Sequence, residues 1–330
     1  MNLVTGATGH LGNVLIRTLL EKGEKVRAFV LPKDNLTPLD GLDVEIAHGN
    51  VLEPESITPA LKGVDTAYHL AAMISIMPGK NEMVQRVNVE GTRNMLAAAQ
   101  KAQLRRFVYT SSIHAIQRAP HGTTIDESLP YDPHNPYGAY DTSKAQASLL
   151  VQEAAKNGLN AVLVCPTGVI GPYDFRVSLL GAWFLSYWKH KPVQYFEGGY
   201  DYVDVRDVAS GMIAAAEKGR SGESYLLSGG YMSNDDLAKL GRQLVGGTYR
   251  LLKLPLGLIQ FLAHLLPHYY RLSKKSPLLT PYSIEVLQSN AAISHAKATR
   301  ELGYQPRSLK DSLRDALLWF KENQTRLIHS

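Results

Sequence analysis

Short apolar runs alternate with stretches of helical period over the first half of the chain. Asn2–Thr5, Val26–Val30 and residues 44–47, 66–70, 107–110 and 161–164 read as strands. His10–Glu21 carries apolar positions at helical spacing, and longer helical patterns fill about 82–102 and 137–156. Strand runs that are apolar almost throughout, with helices between them, predict an α/β fold. Its core would be a doubly wound parallel sheet covered on both faces.

After Pro166 the pattern changes. The stretch GPYDF leads into an aromatic helix over 179–188. A strand at 201–205, a helix near 206–218, a strand at 224–227 and a helix near 233–245 follow. The expected division is a first domain over 1–165 and a smaller substrate-binding region over 166–330, with segments near 201–228 returning to the first. Residues 251–272 are the most apolar stretch, but Lys253, Gln260, His264 and two prolines interrupt it. It is therefore a poor membrane span and is expected as a buried or substrate-covering helix. Reversible membrane contact is a second reading. Residues 308–323 read as a capped amphipathic helix.

Composition narrows the class. The 330 residues are 45% hydrophobic and 20% charged, which excludes disorder and coiled coil as the main state. One cysteine, Cys165, excludes an intramolecular disulfide framework and a cysteine-only zinc site. The start, MNLVTGATG, leaves no room for a basic and apolar leader, so a reduced, cytoplasmic protein is expected. The formal charge is +5; residues 251–330 hold 11 Lys/Arg against 5 Asp/Glu, and residues 1–250 hold 24 against 25. The excess forms no dense block, so it predicts solvated helix surface and not a nucleic-acid site.

The first strand runs into Gly6, Ala7, Thr8, Gly9, His10, Leu11 and Gly12, and then a helix. Gly6 suits the tight turn, Gly9 the approach of a pyrophosphate to backbone, and Gly12 the close packing of helix on sheet. Free N–H groups at the helix start complete the cradle. The spacing G-x-x-G-x-x-G thus predicts a dinucleotide. The second strand ends without a carboxylate to hold a ribose 2′-hydroxyl, and the first acid, Asp34, comes late. Lys33, with Arg27, could attract a 2′-phosphate, so NADP(H) is expected over NAD(H); Lys33 reads equally well as a solvated loop lysine. Asn50 and Val51 could edge an adenine, Leu70, Ala71 and Ala72 would let backbone approach the cofactor, and Asn88 could bridge backbone groups. Each of these also has a purely structural reading.

Tyr140 and Lys144 stand four apart in a helical stretch, on one helix face. A tyrosine pKa near 10 is too high for ready proton exchange, and a neighbouring ammonium with an oxidised nicotinamide would lower it. Ser112 ends the strand at 107–110, where ligands bind in open α/β sheets, and could hold a substrate oxygen while Tyr140 moves the proton. Ser111 could face the cofactor, and either serine could instead cap the strand end. No G-x-S-x-G, H-E-x-x-H or P-loop occurs, and the histidines lack metal-ligand spacing, so no metal is expected.

Over nearly its whole length the chain resembles the extended short-chain dehydrogenase/reductases, an epimerase/dehydratase family of Rossmann fold. The resemblance rests on TGATGHLG at 5–12, AYHLAA at 67–72, NVEGT at 88–92, FVYTSS at 107–112, YDTSK at 140–144, PTGVIGP at 166–172, YVDVRDVA at 202–209 and SHAKATRELGYQPRSL at 294–309. It is nearest to the bacterial branch related to dihydroflavonol 4-reductase. The resemblance implies a Ser112, Tyr140 and Lys144 triad, with Lys144 also bonded to the nicotinamide ribose. It further implies that Pro166, Thr167 and Val169 line the nicotinamide, and that the helices near 82–102 and 137–156 pair in a homodimer.

Two departures bear on substrate. Sugar-nucleotide epimerases of this group carry an arginine where Tyr200 stands and commonly a polar residue where Cys165 stands. Without them a buried diphosphate lacks charge-assisted partners, unless Arg176 or Arg206 substitutes. Met73, Ile74, His114, Tyr173, Phe175 and Trp183 are expected near the reactive end of the cofactor, an apolar lining suited to an uncharged carbonyl or alcohol; core packing is the other reading for Trp183. The expected reaction is reversible NAD(P)-dependent reduction of a small, largely apolar aldehyde or ketone. A nucleotide-sugar epimerase or dehydratase and a non-catalytic NAD(P)-sensing protein are the alternatives. No stable membrane insertion is expected.

Overall fold

The computed structural model describes residues 1–188, 192–246, 250–273 and 279–327. The first half comprises β1 (Asn2–Thr5), α1 (His10–Glu21), β2 (Val26–Val30), β3 (Glu45–His48), α2 (Pro54–Ala60), β4 (Thr66–His69), α3 (Glu82–Gln85), α4 (Gly91–Lys101), β5 (Arg106–Thr110), α5 (Ala139–Lys156) and β6 (Ala161–Pro166). The second half continues with β7 (Gly168–Ile170), α6 (Leu179–Ser186), β8 (Val193–Phe196), β9 (Gly199–Asp204), α7 (Val205–Lys218), β10 (Ser224–Leu227), β11 (Gly230–Ser233) and α8 (Asn234–Val245). It ends with β12 (Leu251–Leu254), α9 (Leu256–Ser273), α10 (Pro281–Gln288), α11 (Ala296–Leu302) and α12 (Leu309–Glu322).

Seven strands form a wholly parallel sheet in the order β10-β6-β5-β4-β1-β2-β3. Strand alternation decides its two covers. Phe107 and Tyr109 of β5 join the core under α2, α4 and α5, while Val108 joins the opposite core under α1 and α7. With both faces buried, the central strands are apolar at most interior positions, so the runs read as strands from sequence. The chain order reverses between β1 and β4, which opens a crevice at their C-terminal ends.

The later segments divide. β10 closes one edge of the main sheet and α7 packs beside it, whereas β9 joins β7 and antiparallel β11 in a separate three-stranded sheet. β12 pairs with β8. A third core gathers Phe175, Phe184, Tyr187, Leu317, Trp319 and Phe320.

Two expectations need correction. The stretch 82–102 is not one regular helix: the chain widens to π geometry over Arg86–Glu90, between α3 and α4. Of the buried or substrate-covering helix expected over 251–272, the fully buried form is not what the structure has. The stretch begins as a strand, and α9 buries Ile259 and Ala263 against Ile284 while its outer face stays exposed.

Candidate active site

The glycine loop fits a dinucleotide diphosphate. Helix α1 begins at Gly9 with no side-chain cap and no acid in its first turn, so its N–H groups and the positive end of its dipole are left for an anion. The loop is as tight as it can be. A Cβ on Gly12 would stand 2.1 Å from the Gly6 carbonyl oxygen, and one on Gly6, at φ +67°, 2.9 Å from the Ala71 nitrogen. His10 turns its ring to the Pro172 carbonyl at 2.9 Å, and Leu11 packs on the core, which leaves their backbone to face a ligand.

Thr5 holds the far wall. Its Oγ1 accepts the N–H groups of Leu70 (3.1 Å) and Ala71 (3.0 Å), so its single proton goes to His69 Nδ1 at 2.8 Å. His69 then donates from Nε2 to Thr92 Oγ1 (3.1 Å), and Thr92 donates to the Asn88 carbonyl (2.7 Å). Burial pushes His69 down to about 3, in keeping with a neutral ring. Asn88, on the π turn, accepts from Met73 N–H (2.7 Å) and donates to the Met73 carbonyl (2.9 Å) and to Ser143 Oγ (2.9 Å). Ser143 donates to the Tyr140 carbonyl at 2.8 Å. One hydrogen-bonded line thus runs from the end of β1 to Tyr140. Ala72 lies in the stretch this line holds.

Ser112, Tyr140 and Lys144 converge where β5 ends against α5. Ser112 caps the short turn after β5 that packs on α5, and its hydroxyl accepts the His114 N–H at 3.2 Å. Burial pushes the Tyr140 phenol up to about 12; the Ser112 hydroxyl opposes the rise and the Asp141 carboxylate adds to it. The lowering expected from a lysine neighbour is therefore not present. Lys144 instead donates to the Thr110 carbonyl (2.5 Å) and the Tyr109 hydroxyl (3.4 Å), and burial pushes it down to about 7.

Around Tyr140 stands a cluster that sequence reasoning missed in large part. His114 stacks on Tyr200 and its Nε2 lies 3.0 Å from the Tyr200 hydroxyl; it also meets the Tyr140 ring edge-on. Asp141, fully buried, accepts from Tyr282 (2.6 Å) and Arg118 (3.4 Å). Arg118 pairs with Glu285 and covers the Tyr137 ring. Asp141 adjoins Tyr140 in sequence and was available as a signal; Arg118, Tyr200 and Tyr282 arrive only through the fold.

The other expected residues have these surroundings. Phe175 is buried edge-on against Trp319 and belongs to the core, because its apolar ring finds a closed aromatic pocket there. Tyr173 lies between the Arg17 guanidinium and Trp319. Trp183 packs on Tyr187 and donates to the Gln194 carbonyl. Ser111 faces Ser148 at 2.6 Å, not the crevice. Thr167 donates to buried Asp201 (2.6 Å), Pro166 pairs with Leu227, and Val169 packs on the main core. Val51 is buried against Gly91, while Asn50 shapes its own turn by accepting the Leu52 N–H. Met73 and Ile74 stay open to solvent.

The adenosine end corrects the reading of charge. Arg27 is tied to Glu45 and to the Ala60 and Lys62 carbonyls, so it is not available to a phosphate. Lys33 is exposed. Asp34, though late in sequence, returns to the glycine loop: Thr8 donates to its carboxylate at 2.5 Å, and Arg176 pairs with it while donating to Thr8.

Comparison with known proteins gives the family. The chain is 37% identical to a sterol demethylase protein B from Methylococcus capsulatus, covering 97% of this chain and 98% of that protein. It is 32% identical to a putative dihydroflavonol 4-reductase from Synechocystis, covering 97% and 94%. The crystal structure of gox2253 superposes with a TM-score of 0.85 at 32% identity, over 99% of both chains. Residues 2–228 match the NAD dependent epimerase/dehydratase family, and the chain belongs to that family.

Proposed function

We propose that this protein is an oxidoreductase that interconverts a largely apolar alcohol and its carbonyl, with NAD(H) as the hydride partner. The observation that carries this reading is the placement of Ser112, at the C-terminal end of β5, against the start of α5 that bears Tyr140 and the buried Lys144, whose amine donates to the Thr110 carbonyl. When bound, the dinucleotide supplies or accepts the hydride. The backbone of Gly6–Gly12 would hold its diphosphate, the stretch 70–72 would line it, and Lys144 would bond its ribose.

In reduction, Tyr140 gives its phenolic proton to the substrate oxygen as the carbonyl becomes an alcohol; in oxidation it takes that proton back. Ser112 orients the oxygen. Burial holds the phenol up at about 12, so near neutral pH it keeps the proton that it gives in reduction.

The Asp34 carboxylate at the glycine loop supports NAD(H) over NADP(H), since it would repel a 2′-phosphate and accept from a 2′-hydroxyl. The substrate reading rests on charge. Tyr200 is bonded to His114, Arg206 is held by Asp204 and Asp315, and Arg176 is held by Asp34, so none is free for a sugar diphosphate. The name of the Methylococcus relative supports a sterol-class alcohol or ketone.

The test is turnover of hydroxysteroid, ketosteroid and simple aldehyde panels with NADH, NADPH and their oxidised forms. Cofactor-dependent turnover of an uncharged alcohol or carbonyl is expected. Conversion of a nucleotide sugar without added cofactor, and none of the panel, would favour epimerase chemistry instead.

A further inference from the structure

We propose that α9 docks this protein on an anionic lipid surface, lying in the plane of the membrane without crossing it. Leu258, Phe261, Leu262, Leu265 and Tyr269 recur at spacings of three and four and form one exposed stripe; Phe261 is 62% exposed and Leu265 52%. Leu252 of the preceding strand is exposed as well. A stripe of this kind on an otherwise polar surface marks an interaction site.

Charge selects the occupant. Residues 237–284 hold seven Lys/Arg and no Asp or Glu in sequence, and Lys253, before the helix, lies 4.0 Å from Glu197. An apolar stripe within so cationic a stretch of sequence complements an anionic bilayer interface, where the ring and leucines enter the acyl boundary. A second copy of the chain is disfavoured, because a two-fold contact through this face would set two acid-free, cationic segments against each other.

The fold sets the depth. The opposite face of α9 is held by Ile259 and Ala263 on Ile284, so the helix stays attached to the body. The stripe from Leu258 to Tyr269 covers roughly 17 Å at 1.5 Å per residue, short of a bilayer core. Among the described residues no helix is long and apolar enough to cross a membrane.

The experiment is co-flotation of the full chain with vesicles of phosphatidylcholine alone and of phosphatidylcholine with about two-fifths phosphatidylglycerol, at low and high salt. The wild type is expected to float with the anionic vesicles at least ~10-fold more than with the neutral ones, and to be released by salt. Phe261→Ser/Leu265→Ser should abolish flotation with an unchanged denaturation midpoint, since both side chains are exposed. Lys253→Glu/Lys275→Glu should weaken it while keeping the apolar stripe. Light scattering runs in parallel. No flotation of the wild type, equal flotation on both vesicles, or self-association that the serine variant removes would each overturn the proposal; the last would assign the face to a second copy.

Discussion

Arg176 and Asp34, 142 positions apart in sequence, form an ion pair across the glycine loop with the Thr8 hydroxyl bonded to both. The loop between β7 and α6 is thereby joined to the start of α1. On the proposed reading the carboxylate would meet the ribose of a bound dinucleotide. Asp34→Asn removes its repulsion of a 2′-phosphate and frees Arg176. The ratio of NADPH to NADH dissociation constants should fall about tenfold, roughly one 1.4 kcal/mol step. Fluorescence titration of both cofactors measures it, and an unchanged ratio would remove Asp34 from cofactor selection.

Lys144 links the site to stability. Its pKa falls from 10.5 to about 7 on burial, so between those values the unfolded chain binds more protons than the folded one. Stability contributed by this group therefore rises with pH across that window, by at most about 1.4 kcal/mol per pH unit. Lys144→Met should flatten the rise. Urea denaturation at pH 6.5 and 9 compares the two, and parallel pH dependence would show that the ammonium is not buried as described.

Thr5 satisfies three buried groups with one hydroxyl. Thr5→Val keeps the shape and orphans the N–H groups of Leu70 and Ala71 together with His69 Nδ1. A loss of about 1–3 kcal/mol is expected, the cost of unsatisfied buried polar groups. Chemical denaturation reads it, and a neutral substitution would mean that water or a shifted backbone satisfies them.

Gly12 brings α1 onto the loop. Gly12→Ala places a methyl 2.1 Å from backbone oxygen, which cannot rotate away. The loop must open, with a stability loss of about 1–3 kcal/mol and weakened dinucleotide binding. Calorimetric titration with NADH checks the second effect, and wild-type affinity in a stably folded variant would separate the loop from the ligand.

The parts legible in sequence share a physical cause. β1, β2, β5 and β6 are buried on both faces, so each is a plain apolar run, and the glycine loop needs its residue types for local geometry. Spacing and strand-end position single out Ser112, Tyr140 and Lys144, which the fold places where β5 ends against α5. What was not legible depends on pairing at a distance. β7 and β11 contain glycine and are three or four residues long, so only their partners define them. Asp34 reads as a loop acid until the fold returns it to Thr8. Phe175 looks like pocket lining until Trp319 meets it. Apolarity in α9 suggested burial, yet a hydrophobic side chain reports only that it avoids water, not what covers it.

The most direct test of the account is Tyr140→Phe, with turnover and cofactor affinity measured on the same preparation. Loss of a positioned proton donor predicts a fall in turnover of at least ~100-fold, with the NADH dissociation constant within about twofold of wild type, because the missing oxygen would meet the substrate and its loss leaves the glycine loop untouched. Near-normal turnover in that variant would contradict the proposed proton transfer.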